Sequence, residues 1–420
     1  YRYKMQHSKD INLKEVIINE NYESNRYGEK TPLIAYELSE MVGVGIIEED
    51  FKTPEFGEDV IVGAIVTDAN LDELKYDLKQ GKEYINMPYI PNRMLNKANT
   101  LRSVIENIAR QNLVSLFGVA PAQIFDSMVP ILKENLNEDE LGYGVIDENR
   151  KPQGKWISKI IKEDVKICSP KDYMNDARSV IVLGMNFPGE LIENLGLDTS
   201  KQIGTYAYYT YQTIFELRFA ALEVANYLNK LGYKTLMTEN MLGIGSKVDN
   251  PRGLLPDFRC NALEGVAAGL GEIGKNGGLL TPEYGAHQRQ IVIITDAELP
   301  YNTPYNKEKI CLECGNCISK CPMSAYEEKY FTISIGNKKV AYPLINRYRC
   351  DWAKKYSLNK DAGHELVGNK THVELPNEGE LNIEKVAEAC NLRDEIMKRR
   401  SVILEPCIRY CKAGGIKHKR

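Results

Sequence analysis

The chain has 420 residues, 43% hydrophobic and 27% charged, which is enough apolar side chain for a substantial core and for two or three lobes around it. Its formal net charge of −4 supplies no overall basic field for nucleic acid, and the short basic ending Lys417-His418-Lys419-Arg420 reads as a solvated terminus. Ten cysteines, most of them late in the chain at metal-like spacings, argue for metal binding and against a disulfide framework.

Residues 1–95 are polar and tyrosine-rich and read as an accessory lobe, with a strand expected over 59–66. Residues 92–116 carry Leu101, Val104, Ile105, Ile108 and Leu113 at helical spacing, and 114–121 read as a strand running into a turn, where a core domain begins. The stretch 141–155 is expected to be a loop, broken by Gly142, Gly144, Pro152 and Gly154. Residues 176–188 read as a strand entering a loop. After Tyr206, Tyr208, Tyr209 and Tyr211, a long amphipathic helix is expected over 213–231, with Phe215, Phe219, Leu222, Val224 and Leu228 available for burial. Gly232 marks its end, and 233–237 look strand-like. Then come an alanine- and glycine-rich helix over 261–270, a glycine-rich loop over 271–278 and a buried strand over 290–296. No apolar run reaches the length of a membrane span, and Tyr1-Arg2-Tyr3-Lys4-Met5 has no signal-peptide pattern. The expected location is the cytoplasm or the membrane periphery, and an exported form whose leader has been removed stays open because the chain starts at Tyr1.

The strongest signal is Cys311-Leu312-Glu313-Cys314-Gly315-Asn316-Cys317-Ile318-Ser319-Lys320-Cys321-Pro322. Thiolates at C-x2-C-x2-C-x3-C-P wrap three corners of a cubane iron–sulfur cluster, and in two-cluster ferredoxins the fourth cysteine reaches a second cluster. Structural zinc usually takes two separated knuckles instead. Further cysteines follow at 350, 390, 407 and 411. A two-cluster scheme assigns Cys311, Cys314, Cys317 and Cys411 to one 4Fe-4S cluster, and Cys321, Cys350, Cys407 and Cys390 to the other. Cys390 falls in a helical stretch, 383–399, and reads equally well as a small buried hydrophobe. Cys168 and Cys260 are isolated and read as core residues.

The run from Gly265 through Gly269-Leu270-Gly271-Glu272-Ile273-Gly274-Lys275-Asn276-Gly277-Gly278 to Tyr284-Gly285, continuing to Thr295-Asp296, resembles the corrinoid-dependent iron–sulfur reductases. That superfamily holds the reductive dehalogenases and the epoxyqueuosine reductases. The resemblance extends to 117–127, 177–188, the helix end at 231–233 and the cysteine run, and spans roughly residues 100 to 411. It implies an α/β fold: a nitroreductase-like corrinoid-binding domain (96–305), a two-cluster ferredoxin-like module (306–420) and the N-terminal accessory lobe (1–95). The implied cofactors are two iron–sulfur clusters and cobalamin or a related corrinoid. None of the five histidines sits in an Asp-x-His-x-x-Gly arrangement, in keeping with families that bind the corrinoid without a histidine below cobalt.

By the same resemblance, Gly269, Gly271, Gly274, Asn276, Gly277, Tyr284 and Gly285 are the expected cofactor contacts, and Tyr211 is the proton donor with Lys275 as the cation beside it. Glycines permit positive φ and close backbone approach, although an ordinary tight connection needs them equally. Tyr209 and Tyr208 rival Tyr211. Two departures stand out: Leu404 occupies the first cysteine position of the family's closing C-x2-C-x3-C-P, and Lys412 replaces its proline. No helical tRNA-binding repeat follows Cys411, and a tyrosine stands where epoxyqueuosine reductases carry an aspartate. The expected function is therefore reductive dehalogenation of a small organic substrate, with electrons from a donor protein or the quinone pool. The alternatives are an epoxyqueuosine-type reductase, a non-catalytic iron–sulfur carrier or activator of a corrinoid protein, and a flavin in place of the corrinoid.

Overall fold

The computed structural model describes residues 46–47, 51–52, 100–149, 155–162, 167–187, 200–248, 255–354, 356, 358–359, 371–377, 379–393 and 405–413. Contacts divide the chain into two compact units, Tyr1–Ala98 and Asn99–Arg420. In the first, the described residues are a short antiparallel pair, β1 (Ile46–Ile47) and β2 (Phe51–Lys52). The strand expected over 59–66 lies outside the described residues.

The second unit begins with α1 (Leu101–Gln111), capped by the Thr100 hydroxyl, which accepts the Ser103 N–H at 3.4 Å. Val104, Ile105, Ile108 and Ala109 form its buried stripe. Next come β3 (Leu116–Pro121), a 3-10 turn (Ala122–Phe125), α2 (Met128–Asn135) and α3 (Glu138–Gly142). The stretch expected to be a loop is instead one arm of a hairpin: β4 (Tyr143–Asn149) pairs antiparallel with β5 (Trp156–Lys162). Glycine does not break the strand here, because the Ile161 side chain across the ladder covers Gly144. After α4 (Pro170–Tyr173), β6 (Ser179–Asn186) is buried almost throughout.

The long helix, α5 (Ser200–Lys230), starts well before the expected residue 213, so Tyr206 to Tyr211 lie within it and Tyr211 is not at its entrance; for 200–211 the side chains are outside the described residues. Its buried stripe runs Ile214, Leu217, Ala221, Val224 and Leu228 at three- and four-residue steps, while Phe219 and Leu222, expected inside, are exposed. They fall off that stripe by one to two residues, enough on a helix to turn them to the other face. Gly232, at φ +88°, ends the helix ahead of β7 (Thr235–Thr238).

Then follow β8 (Lys247–Val248), β9 (Leu255–Pro256), α6 (Ala262–Ala267), β10 (Glu272–Ile273), β11 (Leu279–Leu280) and β12 (Gln288–Thr295). The central sheet has four strands in the order β3-β6-β12-β7, each pairing antiparallel. Val180 and Val182 of β6 and Val292 and Ile294 of β12 join the core cluster with α6. Their alternates, Ile181, Leu183, Ile291 and Ile293, are also buried, and α5 packs on the sheet, which is why both strands read as unbroken apolar runs.

The remaining elements are α7 (Asn316–Ser319), β13 (Tyr326–Ile335), β14 (Lys338–Ile345), α8 (Arg347–Lys354), α9 (Ile383–Asn391) and α10 (Pro406–Arg409). The β13–β14 hairpin places Phe331, Ile333, Ile335, Val340 and Tyr342 in the same core cluster as α6 and the sheet. The fold is thus mixed α and β, with every described strand pairing antiparallel.

Candidate metal centre

Two chain segments far apart in sequence meet at one pocket of about 350 Å³, part of it open to solvent. Cys311, Cys314 and Cys317 come from the loop leading into α7, and Cys411 from the segment following α10. Lys275, Asn276, Leu280 and Ala413 complete much of the lining. Cys314 is exposed and the other three are half-buried. Burial first, then the neighbouring thiols of Cys317, Cys311 and Cys314, pushes the Cys411 thiol up to about 11. Burial and the thiols of Cys311 and Cys314 likewise raise Cys317. Thiols crowded in this way surrender their protons to a metal, because a bound cation reverses the cost of gathering negative charge. Among the described residues no three His, Cys, Asp or Glu side chains converge as a single-ion site requires. The four thiols line one pocket, and four cysteines are the donor set that a cubane iron–sulfur cluster takes.

Several contacts hold this arrangement, and none was anticipated from the sequence. Glu272 Oε1 accepts the N–H groups of Ile310 and Cys311 at 2.9 and 2.8 Å, docking the cysteine loop onto β10. Gly315, at φ +73°, makes the left-handed turn between Cys314 and α7. Asn316 Nδ2 donates to the Tyr410 carbonyl at 3.2 Å, joining α7 to the C-terminal segment. That segment is fastened to the sheet by a buried ion pair between Arg289 of β12 and Glu405, whose other oxygen accepts the Phe258 N–H at 3.2 Å. Phe187, Phe258, Leu280, Ile310 and Ile408 form the apolar wall behind the thiols.

A second group of thiols lies deeper. Burial, then the Cys407 thiol through its charge and a hydrogen bond to the phenol, and then Cys350 and Cys317 hold the Tyr326 phenol well above its usual range, so this side chain has cysteines of both sets near it. Its hydroxyl donates to the Asn276 carbonyl at 3.3 Å. Cys321 is raised by burial and also feels Cys350, and its sulfur accepts the Ala325 N–H at 3.4 Å. Behind them Arg259 is buried against Asp257 at 2.7 Å, with Asp351, the residue after Cys350, at 3.7 Å. Burial alone would lower the Arg259 pKa, but the charges of Asp257, Cys350 and Asp351 outweigh it. Cys390 is fully buried on α9 in an apolar cluster with Val386, Trp352, Tyr356 and Leu358.

The glycine-rich shoulder has a different form from the expected loop. Residues 272–280 are a tight hairpin, β10 against β11, with Glu272 opposite Leu280. A Cβ on Gly271 would stand 1.8 Å from the Leu280 carbonyl oxygen, and one on Gly269 2.4 Å from that of Thr303. Gly274 abuts Asn276 and Leu280, Gly277 abuts Pro343 and Ile345, and Gly285 exchanges backbone hydrogen bonds with Thr281. Asn276 is spent on the Gly278 N–H at 3.0 Å, and the Tyr284 N–H on the Thr281 hydroxyl at 3.2 Å. The glycines are small because their own chain presses on them. Lys275 lies at the thiol pocket beside Glu313, whose carboxyl is lowered chiefly by its hydrogen bond to Lys309 and also by Lys275. The side chains of Tyr211 and Tyr209 are outside the described residues.

No family model matches the chain. It is 32% identical over 107 residues to a tetrachloroethene reductive dehalogenase of Desulfitobacterium hafniense, covering 25% of this chain and 16% of that protein. An epoxyqueuosine reductase of Cellulophaga algicola is 27% identical over 183 residues, covering 43% of this chain and 52% of the relative. The chain thus spans about half or less of the length of these curated relatives. Among solved structures, an epoxyqueuosine reductase of Bacillus subtilis overlaps with a TM-score of 0.38 at 16% identity, covering 74% of this chain and 80% of the other. A catabolic reductive dehalogenase in complex with 3-bromo-4-hydroxybenzoic acid overlaps at 0.34 and 16% identity, covering 71% and 39%. Overlaps this slight carry no argument about the fold. The sequence relatives on both sides are named reductases, in keeping with the resemblance read from the sequence.

Proposed function

We propose that this protein is an iron–sulfur reductase that takes a leaving group, halide in the favoured reading, from a small organic substrate. The observation that carries it is the gathering of Cys311, Cys314, Cys317 and Cys411 from distant segments around one pocket. Clusters of the 4Fe-4S type, when bound, accept and release one electron at a time. Cys311, Cys314, Cys317 and Cys411 would hold the outer one, and Cys321, Cys350 and Cys407 would supply thiolates to the inner one. Glu272 fixes the outer loop through two amide groups, and the Arg289–Glu405 pair holds the C-terminal thiols against the sheet. Tyr326, whose hydroxyl donates to the Asn276 carbonyl, has cysteines of both sets near it.

Electron delivery is the part of the reaction that this chain's described side chains support, and the corrinoid that the resemblance implies would supply the centre that reduces the substrate. Dehalogenation is favoured by the dehalogenases among the relatives. The second reading, an epoxide-bearing tRNA nucleoside as substrate, is supported by the relative that matches the larger share of the chain. Anaerobic reconstitution should bring in about eight iron atoms per chain. Chloride release from a chlorinated alkene, against epoxide loss from tRNA, then separates the readings. A protein that takes up zinc and no iron sinks both.

A further inference from the structure

The rim of the outer thiol pocket carries a charge pattern that the chain as a whole does not. The overall charge is −4, yet the side chains placed around Cys314 are mainly cationic. Lys275 lines the pocket, and Lys412 is exposed between two other lining residues, Cys411 and Ala413. Lys320 and Arg409 lie 5.5 and 5.3 Å from the centre of the Tyr410 ring, which pre-positions both charges. Of the nearby carboxylates, Glu313 pairs with Lys309 at 2.5 Å, Glu272 accepts the loop amides and adds one formal negative charge, and exposed Glu283 lies with Glu272 and Glu308 near Tyr305. Farther out, exposed Lys307 and Glu308 offset each other. Inside this rim lie the exposed Cys314 and Leu312, the latter 61% exposed. An apolar point ringed by cations, over thiols open to solvent, suits a small transient electron-transfer contact that is steered by charge.

We infer that this face docks an acidic one-electron carrier protein, and that electrons enter on the Cys314 side. The inference rests on the iron–sulfur reading above and names the donor it left open. In each encounter one electron leaves the reduced carrier and enters this protein; the carrier is oxidised, the protein is reduced, and no bond forms or breaks. A neutral quinol gains nothing from a cationic ring, whereas a carboxylate-rich protein surface gains both orientation and encounter rate.

The test is stopped-flow reduction of the anaerobically reconstituted protein, read as bleaching of its iron–sulfur absorbance. The probes are a reduced acidic plant-type ferredoxin, a soluble quinol, and photoreduced 5-deazariboflavin as a small neutral donor. The ferredoxin rate constant should fall about tenfold or more between about 50 and 500 mM salt. Lys320→Glu with Lys412→Glu should lower the low-salt rate about tenfold, and Leu312→Ser should lower it severalfold, with iron content and the deazaflavin rate unchanged. Ferredoxin rates that ignore both salt and charge reversal overturn the docking face, as does faster reduction by the quinol. The salt series on the unsubstituted protein decides the matter even if the double variant misfolds. Absence of any iron–sulfur absorbance is the separate failure, that of the reading underneath.

Discussion

The two thiol sets are built from one short motif but placed in opposite surroundings. The outer set sits on loops and one-turn helices, with Cys314 exposed and cations around it. In the inner set Cys407 is 8% exposed while Cys321 and Cys350 are half-buried, with the Arg259–Asp257–Asp351 charges near Cys350. Cys317 and Cys321 are four residues apart and yet keep different company, Cys311 and Cys314 for one, Cys350 for the other. Solvent exposure, hydrogen bonds to sulfur and nearby charge are the levers a protein holds over a cluster's potential. Exposure differs most clearly between Cys314 of one set and Cys407 of the other, and the charged neighbours differ as well.

The comparison breaks most visibly at the ligands. Cys314→Ala and Cys407→Ala should each remove about half the bound iron, from the outer and inner sets respectively. Iron analysis with electron paramagnetic resonance checks this, and loss of all iron from either variant would mean that the sets are not independent. Next comes the tie between the inner set and the sheet. Glu405→Gln leaves Arg289 buried and without its ionic partner, and should cost about 3–5 kcal/mol in urea unfolding, while Arg289→Met with Glu405→Leu should recover much of it.

A smaller effect reports how dry the interior beside α6 is. Burial, opposed by the Leu242 N–H at 3.0 Å, raises the Glu264 carboxyl from 4.5 to about 7. Its folded pKa lies above its unfolded one, so the stability it contributes is complete below pH 4.5 and is lost as pH rises to 7. The loss should be about 3 kcal/mol, and Glu264→Gln should flatten that slope in unfolding measured across pH. Smallest of all, Cys390→Ala should cost about 1 kcal/mol by leaving a small void on α9, with iron content unchanged. Loss of iron in this variant would return Cys390 to the inner set.

Much of this was legible because it is local. The apolar runs of β6 and β12, the helix α1 and the stop at Gly232 all follow from neighbouring residues. The β13–β14 hairpin had a signal that went unread: Phe331, Ile333 and Ile335 alternate, as do Val340 and Tyr342, around Gly336-Asn337. The β4–β5 hairpin was hidden by Gly142 and Gly144, whose effect depends on what lies across the ladder. For Phe219 and Leu222 the helical period alone leaves the buried face open by a fraction of a turn. The tight packing of the shoulder glycines was not legible for a related reason, since a residue made small by its own chain and one made small by a ligand look the same in one dimension.

Unaided, the amino-acid order determined that thiolates would be presented at cluster spacing, because three and four residues of turn bring consecutive cysteines round a common centre. It could not say which distant cysteine closes each set, which set meets water, or what the glycines touch. Those were decided when the Arg289–Glu405 pair carried Cys407 and Cys411 to the sheet and Glu272 seized the loop amides. Such contacts join residues whose separation along the chain carries no pattern, and their strength depends on burial, which exists once the rest of the fold is in place.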